Sequence, residues 1–166
     1  MFTTKPISRE SVPGALAKAE RYRLLNEPGE AESICRDILD VDPENSQALV
    51  SLILALTDQI PHDSQAFSTA ISTIARLHSP YDRAYYSGIA WERRAKARHS
   101  GGGHGARNYV YEWLMKALHE FEEAERLRAP GNDDAVLRWN ACVRFLARNK
   151  DLAPHTEDVS EPIVSE

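Results

Sequence analysis

Apolar side chains recur along this chain at intervals of three and four, the spacing that lines up one face of an α-helix. The stripe is plainest in Ala31, Ile34, Cys35, Ile38 and Leu39, which follow the turn residues Pro28-Gly29. Asp42-Pro43 stops that helix, and Asn45 or Ser46 can cap the next. The next runs to about Ile60 and is apolar on most sides (Ala48, Leu49, Leu52, Ile53, Leu56), so it is predicted to be central. Asp63 or Ser64 then caps a helix with Phe67, Ala70, Ile71 and Ile74. A fifth helix, from Tyr81 to about His99, bears Tyr85, Gly88, Ile89 and Trp91. A sixth, Ala106 to Arg128, carries Val110, Trp113, Leu114, Ala117, Phe121 and Ala124. At ~1.5 Å per residue it is the longest expected element, about 35 Å. Asn132 or Asp133 caps a last helix with Val136, Trp139, Val143 and Leu146, and a first helix from about Ser11 to Asn26 completes seven. No alternating pattern long enough for a strand occurs.

Breakers fall where these helices end. Pro13, Pro28, Pro43, Pro61 and Pro80 are 15 to 19 residues apart, the length of one helix and one turn. Between Pro80 and Pro130 the one breaker is the run from Ser100 to Gly105. The expected organisation is a flexible start over residues 1–10, one helical domain over 11–149, and a disordered acidic tail over 150–166.

Small residues and aromatics repeat at a longer period. Ala19 and Tyr22, followed by Ala31, Cys35, Ile38 and Pro43, make one helical hairpin; Gly88 and Trp91, followed by Ala117, Phe121, Ala124 and Pro130, make another. Ala19 and Gly88 are 69 residues apart, close to twice 34, and the later copy holds about 17 extra residues before Ala117. Residues 46–80 supply a middle copy with Ala66, Ala70 and Ile74. Over residues 13–148 this arrangement resembles the tetratricopeptide repeat (TPR), a 34-residue helix–turn–helix unit. It departs from the family pattern at Cys35, where a large residue is usual, and the first hairpin has no early Trp.

The resemblance implies an all-α fold. About three hairpins would stack in a right-handed superhelix, and a C-terminal helix would cap the stack. It also implies a protein–protein interaction module whose concave groove, lined by the first helix of each hairpin, takes a partner helix or peptide. By position the groove residues would be Glu20, Arg23, Val50, Leu54, Thr57, Tyr85, Ile89 and Arg93, with Leu54, Tyr85 and Ile89 as apolar anchors and Arg23 and Arg93 as orienting charges. The alternative is that these side chains pack against the long sixth helix or the tail. The Lys and Asn clamp by which some family members grip a C-terminal carboxylate has no counterpart, since Leu16 and Glu20 stand there.

The formal charge of the 166 residues is −5, so neither nucleic acid nor an anionic membrane is an expected partner. The distribution is uneven: from Lys150 onward one Lys faces five acids, whereas Arg93 to Arg107 holds five bases and no acid. Arg94, Lys96, Arg98 and Arg107 make this segment a candidate anion or nucleic-acid site, with the N-terminus of the sixth helix behind it. A solvated loop is the plainer reading, because no Gly-Lys-Ser/Thr follows and no strand precedes the glycines. The acidic tail could also fold back on it.

The first residues contain no apolar run of signal-peptide length and no stretch approaches a membrane span, so the cytosol is expected, with Cys35 and Cys142 as buried thiols. The six histidines show no metal spacing, His99 and His104 being separated by glycines. No catalytic motif is present, and neither cofactor nor enzymatic activity is expected. Two further alternatives are a small-ligand pocket walled by Trp91, Trp113 and His119, and a homodimer closed over an apolar patch.

Overall fold

The computed structural model describes residues 2–102 and 105–153, so Gly103, His104 and the acidic segment from residue 154 lie outside the described residues. Within them the chain forms seven α-helices and no strand: α1 (Val12–Leu24), α2 (Pro28–Val41), α3 (Ser46–Gln59), α4 (Ala66–Ile74), α5 (Pro80–Gly101), α6 (Ala106–Leu127) and α7 (Asp134–Arg148). Short 3-10 turns stand at Arg9–Ser11 and Lys150–Leu152.

The prolines act as expected. Pro13, Pro28 and Pro80 sit in the first turns of α1, α2 and α5, where their missing N–H costs nothing. Asn45 caps α3 by accepting from the Ala48 N–H at 2.9 Å. Ser79 caps α5 in the same way, accepting from Asp82 at 3.1 Å. α5 matches α6 at 22 residues, so the sixth helix is not alone the longest element. The extra residues of the last hairpin lengthen both its helices.

Each helix packs on the next in sequence, and α1 with α3, α3 with α5 and α5 with α7 also touch. The odd-numbered helices thus form a contiguous row. One apolar cluster is built on Ile38, Leu49 and Ile53 of α1–α4 and takes in Leu77 and, from α5, Ala90; a second joins α5, α6 and α7 through Ile89, Leu114, Phe121 and Cys142. Tyr86 packs against both, so the two are continuous. The close approach of α5 to α6 rests on Gly88, over which the Phe121 ring lies.

The packed body extends past the expected boundary at residue 149. Leu152, in the terminal 3-10 turn, is 3% exposed and belongs to the second cluster. At the other end Ile7 packs against the first.

Candidate functional site

The row of odd-numbered helices leaves an open groove of about 670 Å³ between α1 and α3, closed at one end by Asp82 of α5. Its apolar floor is Leu16, Val50 and Leu54, all half-buried. Glu20 stands exposed at its rim, and Arg23 lies at one end. Helical spacing produces this set: 16, 20 and 23 share one face of α1, and 50 and 54 share one face of α3. Four of the eight expected groove residues, Glu20, Arg23, Val50 and Leu54, therefore line one surface.

Arg23 and Arg93 are brought to the same acid. Arg23 Nε donates to Asp58 Oδ2 at 2.9 Å, and Arg93 Nη1 donates to Asp58 Oδ1. Arg93 also donates to Thr57 Oγ1 at 2.8 Å and to the Leu54 carbonyl at 3.4 Å. Asp58 thus bridges α1, α3 and α5, and both arginines are committed to holding the row together. Burial draws the Arg93 pKa below its ordinary value, while the Asp58 carboxylate opposes that shift. A second open cavity of about 490 Å³ adjoins this bridge, lined by Thr57, Asp58, Arg93 and Lys96.

Three expected groove residues do not belong there. Ile89 is 2% exposed and packs in the α5–α7 core with Leu114 and Phe121, so it cannot anchor a partner. Thr57 is 1% exposed and satisfied by Leu54 and Arg93. Tyr85 stacks on Tyr81 at 5.8 Å between ring centroids and meets Phe121 at 6.1 Å. The cause is common to Tyr85 and Ile89: α6 and α7 cover the face of α5 that carries them. Packing against the sixth helix is thus what holds for these two.

The basic stretch does not converge on one anion site. Lys96 binds Glu92 at 2.5 Å, and Arg107 faces Asp151 at 3.4 Å. Arg98 is exposed. Arg94 turns to the other side of α5, among aromatic rings. Trp91 and Trp113 do come together, but Arg94 stands against both rings, and His119 is exposed elsewhere on α6. Along α6, Lys116 pairs with Glu112 and Arg126 with Glu123.

Two acids that organise the row escaped the sequence reading. Asp58 is the lone acid of an otherwise apolar α3, which is the signal that could have found it. Glu92, 1% exposed, pairs with Lys96 and with Arg138 of α7 at 3.4 Å. Its position among basic residues hid it as one more helical charge.

Among the described residues no helix is long and apolar enough to cross a membrane, and no three metal-binding side chains gather. No family model matches the chain, and no curated protein or solved structure matches it.

Proposed function

We propose that this chain is a protein–protein interaction module, an adaptor or regulatory subunit, that takes a partner helix or peptide in the groove between α1 and α3. The observation that carries this reading is the groove itself: an open channel with the apolar floor Leu16, Val50 and Leu54 and the charges Glu20 and Asp82 at its edges. Such a floor would receive apolar side chains spaced one helical turn apart, and the edge charges would fix their register. Leu54 and Val50 are the anchors in this reading; Tyr85 and Ile89 belong to the core.

The same reading takes the hairpins α1–α2, α3–α4 and α5–α6 as tetratricopeptide-type units stacked in a right-handed superhelix, with α7 as the cap. Its support is the order of helix contacts and the repeated small residue, Ala19 and Gly88, at a close helix approach. A cytoplasmic setting fits two free, buried cysteines. No catalytic step is assigned.

Affinity capture from a lysate of the source organism tests the proposal with three baits. They are the native chain, Glu20→Lys/Gln47→Lys in the groove, and Arg144→Glu on the exposed side of α7. All three substituted positions are exposed, so the helical fold should survive. A protein held by the native and Arg144→Glu baits, lost on the groove bait, and shown by titration calorimetry to bind the purified chain supports the reading. Equal binding of that purified protein to the native and groove-substituted chains overturns it.

A further inference from the structure

Arg94 projects from α5 into a set of aromatic rings contributed by three helices. Its guanidinium carbon lies 4.1 Å from the centroid of Phe67 on α4 and 4.1 Å from that of Trp113 on α6. Trp91, on α5 itself, is 5.5 Å away and packs on Phe67 at 4.7 Å between centroids. Stacked rings satisfy the faces of a planar cation, but they accept nothing from its edge. The edge carries five N–H donors in a fixed fork. Among the described residues Arg94 makes no ion pair, and only burial displaces its pKa, downward, with no charged or hydrogen-bonding neighbour contributing.

That sets Arg94 apart from Arg93, Lys96 and Arg107, while Arg98, the remaining base of the stretch, is simply exposed. Arg93 is taken by Asp58, Lys96 by Glu92 and Arg107 by Asp151. A long cationic side chain loses rotamer freedom when it is held this way, and here no acceptor from the described residues compensates. What the rings supply is restraint: a guanidinium held against two ring faces, its fork of donors given no acceptor by the described residues, suits two-pronged recognition of an oxyanion.

We propose that Arg94, clamped by Phe67 and Trp113, is a receptor for a side-chain carboxylate in an acidic segment of a partner protein. The surface shares no residue with the α1–α3 groove and would be a second point of attachment. The charge balance selects a carboxylate. Lys116, which also stands on Trp91 at 4.7 Å, is already paired with Glu112 at 2.8 Å, so among the described residues the clamp offers one unpaired positive charge, the complement of a monoanion. Tyr109, half exposed and 5.8 Å from Trp113 between centroids, extends the aromatic rim on which the flanking backbone of an acidic segment can lie.

The test is a titration of the ¹⁵N-labelled full chain with acetyl-tetraglutamate amide, followed by NMR. The Arg94 Nε–H and the indole N–H signals of Trp91 and Trp113 should shift together and saturate. Arg94→Lys keeps the charge but loses the fork, and should weaken binding about tenfold, the loss expected of one charge-assisted hydrogen bond. Trp113→Leu keeps Arg94 but loosens it and should also weaken binding, whereas Arg98→Lys should leave it unchanged. Circular dichroism establishes that each variant keeps its helices. Undiminished affinity in Arg94→Lys, or shifts spread over the exposed basic groups without preference for Arg94, overturns the proposal. Saturation of Arg94 by inorganic phosphate at lower concentration than by the peptide overturns the choice of a carboxylate. A shift of the Arg94 signal in full-length Glu157→Gln/Asp158→Asn/Glu161→Gln, with no peptide added, makes the chain's own acids the occupant and overturns the assignment to a partner.

Discussion

Gly88 on α5 lies so close under the ring of Phe121 on α6 that a Cβ at position 88 would stand 2.5 Å from Cε1 and 2.6 Å from Cδ1. No real Cβ contact is that short, and the ring cannot move aside because it is fully buried. Gly88→Ala should therefore destabilise the protein even though alanine favours a helix by about 1 kcal/mol. Overpacking of this kind costs about 1–3 kcal/mol, and the clash here points to the upper end. Phe121→Leu alone opens space and should cost about 1–2 kcal/mol of lost burial. The double variant Gly88→Ala/Phe121→Leu should be more stable than the sum of the two, by at least about 1 kcal/mol in urea denaturation. Strict additivity would show that the two residues are not in contact.

Asp58 ties three of the odd-numbered helices together, accepting from Arg23 of α1 and Arg93 of α5. Its side chain and those of Arg23 and Arg93 are each about a quarter exposed, between 21% and 25%. Removing one partner of an ion pair costs about 3–5 kcal/mol when it is buried and about 0–1 when it is exposed, so Asp58→Asn should cost about 2 kcal/mol. Glu44→Gln removes the exposed pair with His78 and should change the melting temperature little. Arg93→Ala should cost more than Arg23→Ala, because Arg93 also satisfies Thr57 and the Leu54 carbonyl. Thermal denaturation of the four variants checks this order.

The helices were legible because their signals are local. A proline or an Asn cap marks a boundary whatever the rest of the chain does, and the stripe Ala31, Cys35, Ile38 and Leu39 is buried as its spacing predicts. The Gly88–Phe121 contact was half legible: a glycine in a helix signals close approach, and only the fold shows by what. Ile89, Tyr85 and Thr57 were misplaced for a tertiary reason. Their expected exposure came from the family resemblance; α6 and α7 cover the α5 face that carries Tyr85 and Ile89, and Arg93 reaches across from α5 to bind Thr57 on α3. Charges were the least legible. Of Arg93, Arg94 and Lys96, only the last, in its i, i+4 pairing with Glu92, could be read from spacing; nothing there says that Arg93 turns to Asp58 and Arg94 to three aromatic rings. Consecutive helical residues point about 100° apart, so a basic run on a helix is dispersed.

Ile89 and Glu20 separate stability from binding. Ile89→Ala should cost about 2–4 kcal/mol, the usual loss for a fully buried aliphatic side chain. Any partner it loses is lost with the fold. Glu20→Lys, on an exposed position, should stay within about 0.5 kcal/mol of the native stability. A binding defect in Glu20→Lys with an unchanged melting curve would locate the partner on α1. A cooperative loss of helical signal in that variant would contradict the exposed placement.

The two thiols set an alkaline limit. Burial pushes Cys35 up to about 11, with Arg23 lowering it and Glu32 raising it further, and burial pushes Cys142 up to about 12. In the unfolded chain both would ionise near 9.0. Above that pH the unfolded chain gives up protons that the folded chain retains, so unfolding becomes more favourable as pH rises. Stability is whole below about pH 9 and is lost progressively toward about pH 11–12. The melting temperature should be level between about pH 7 and 8.5 and fall above about 9, and Cys35→Ala/Cys142→Ala should flatten that fall after its own packing loss is subtracted. In the folded protein at pH 8 neither thiol should react with a disulfide reagent on the timescale of a free cysteine; reaction at the free-thiol rate would show that burial does not protect them.

Glu92 is the one carboxylate of the described residues in the fully buried set, and its two partners come from different places: Lys96 one turn on in α5, Arg138 across in α7. Lys96 is tied to Glu92 by the helix itself and would follow it wherever α5 went. Arg138 can reach Glu92 only when α7 is docked, so this pair reports on the attachment of the last helix. Arg138→Met keeps the apolar stem and removes the charge; it leaves Glu92 half neutralised and should cost about 1–3 kcal/mol, with the loss concentrated in α7. Lys96→Met/Arg138→Met strands the carboxylate and should cost about 3–5 kcal/mol. Adding Glu92→Leu to that pair removes the buried charge and should recover most of the loss. Hydrogen exchange read along the chain distinguishes a local from a global effect. In Arg138→Met the amides of residues 134–148 should exchange faster while those of α2 and α3 keep their protection. Uniform acceleration in every helix would mean that α7 does not detach as a unit and that the Glu92–Arg138 pair supports the whole row.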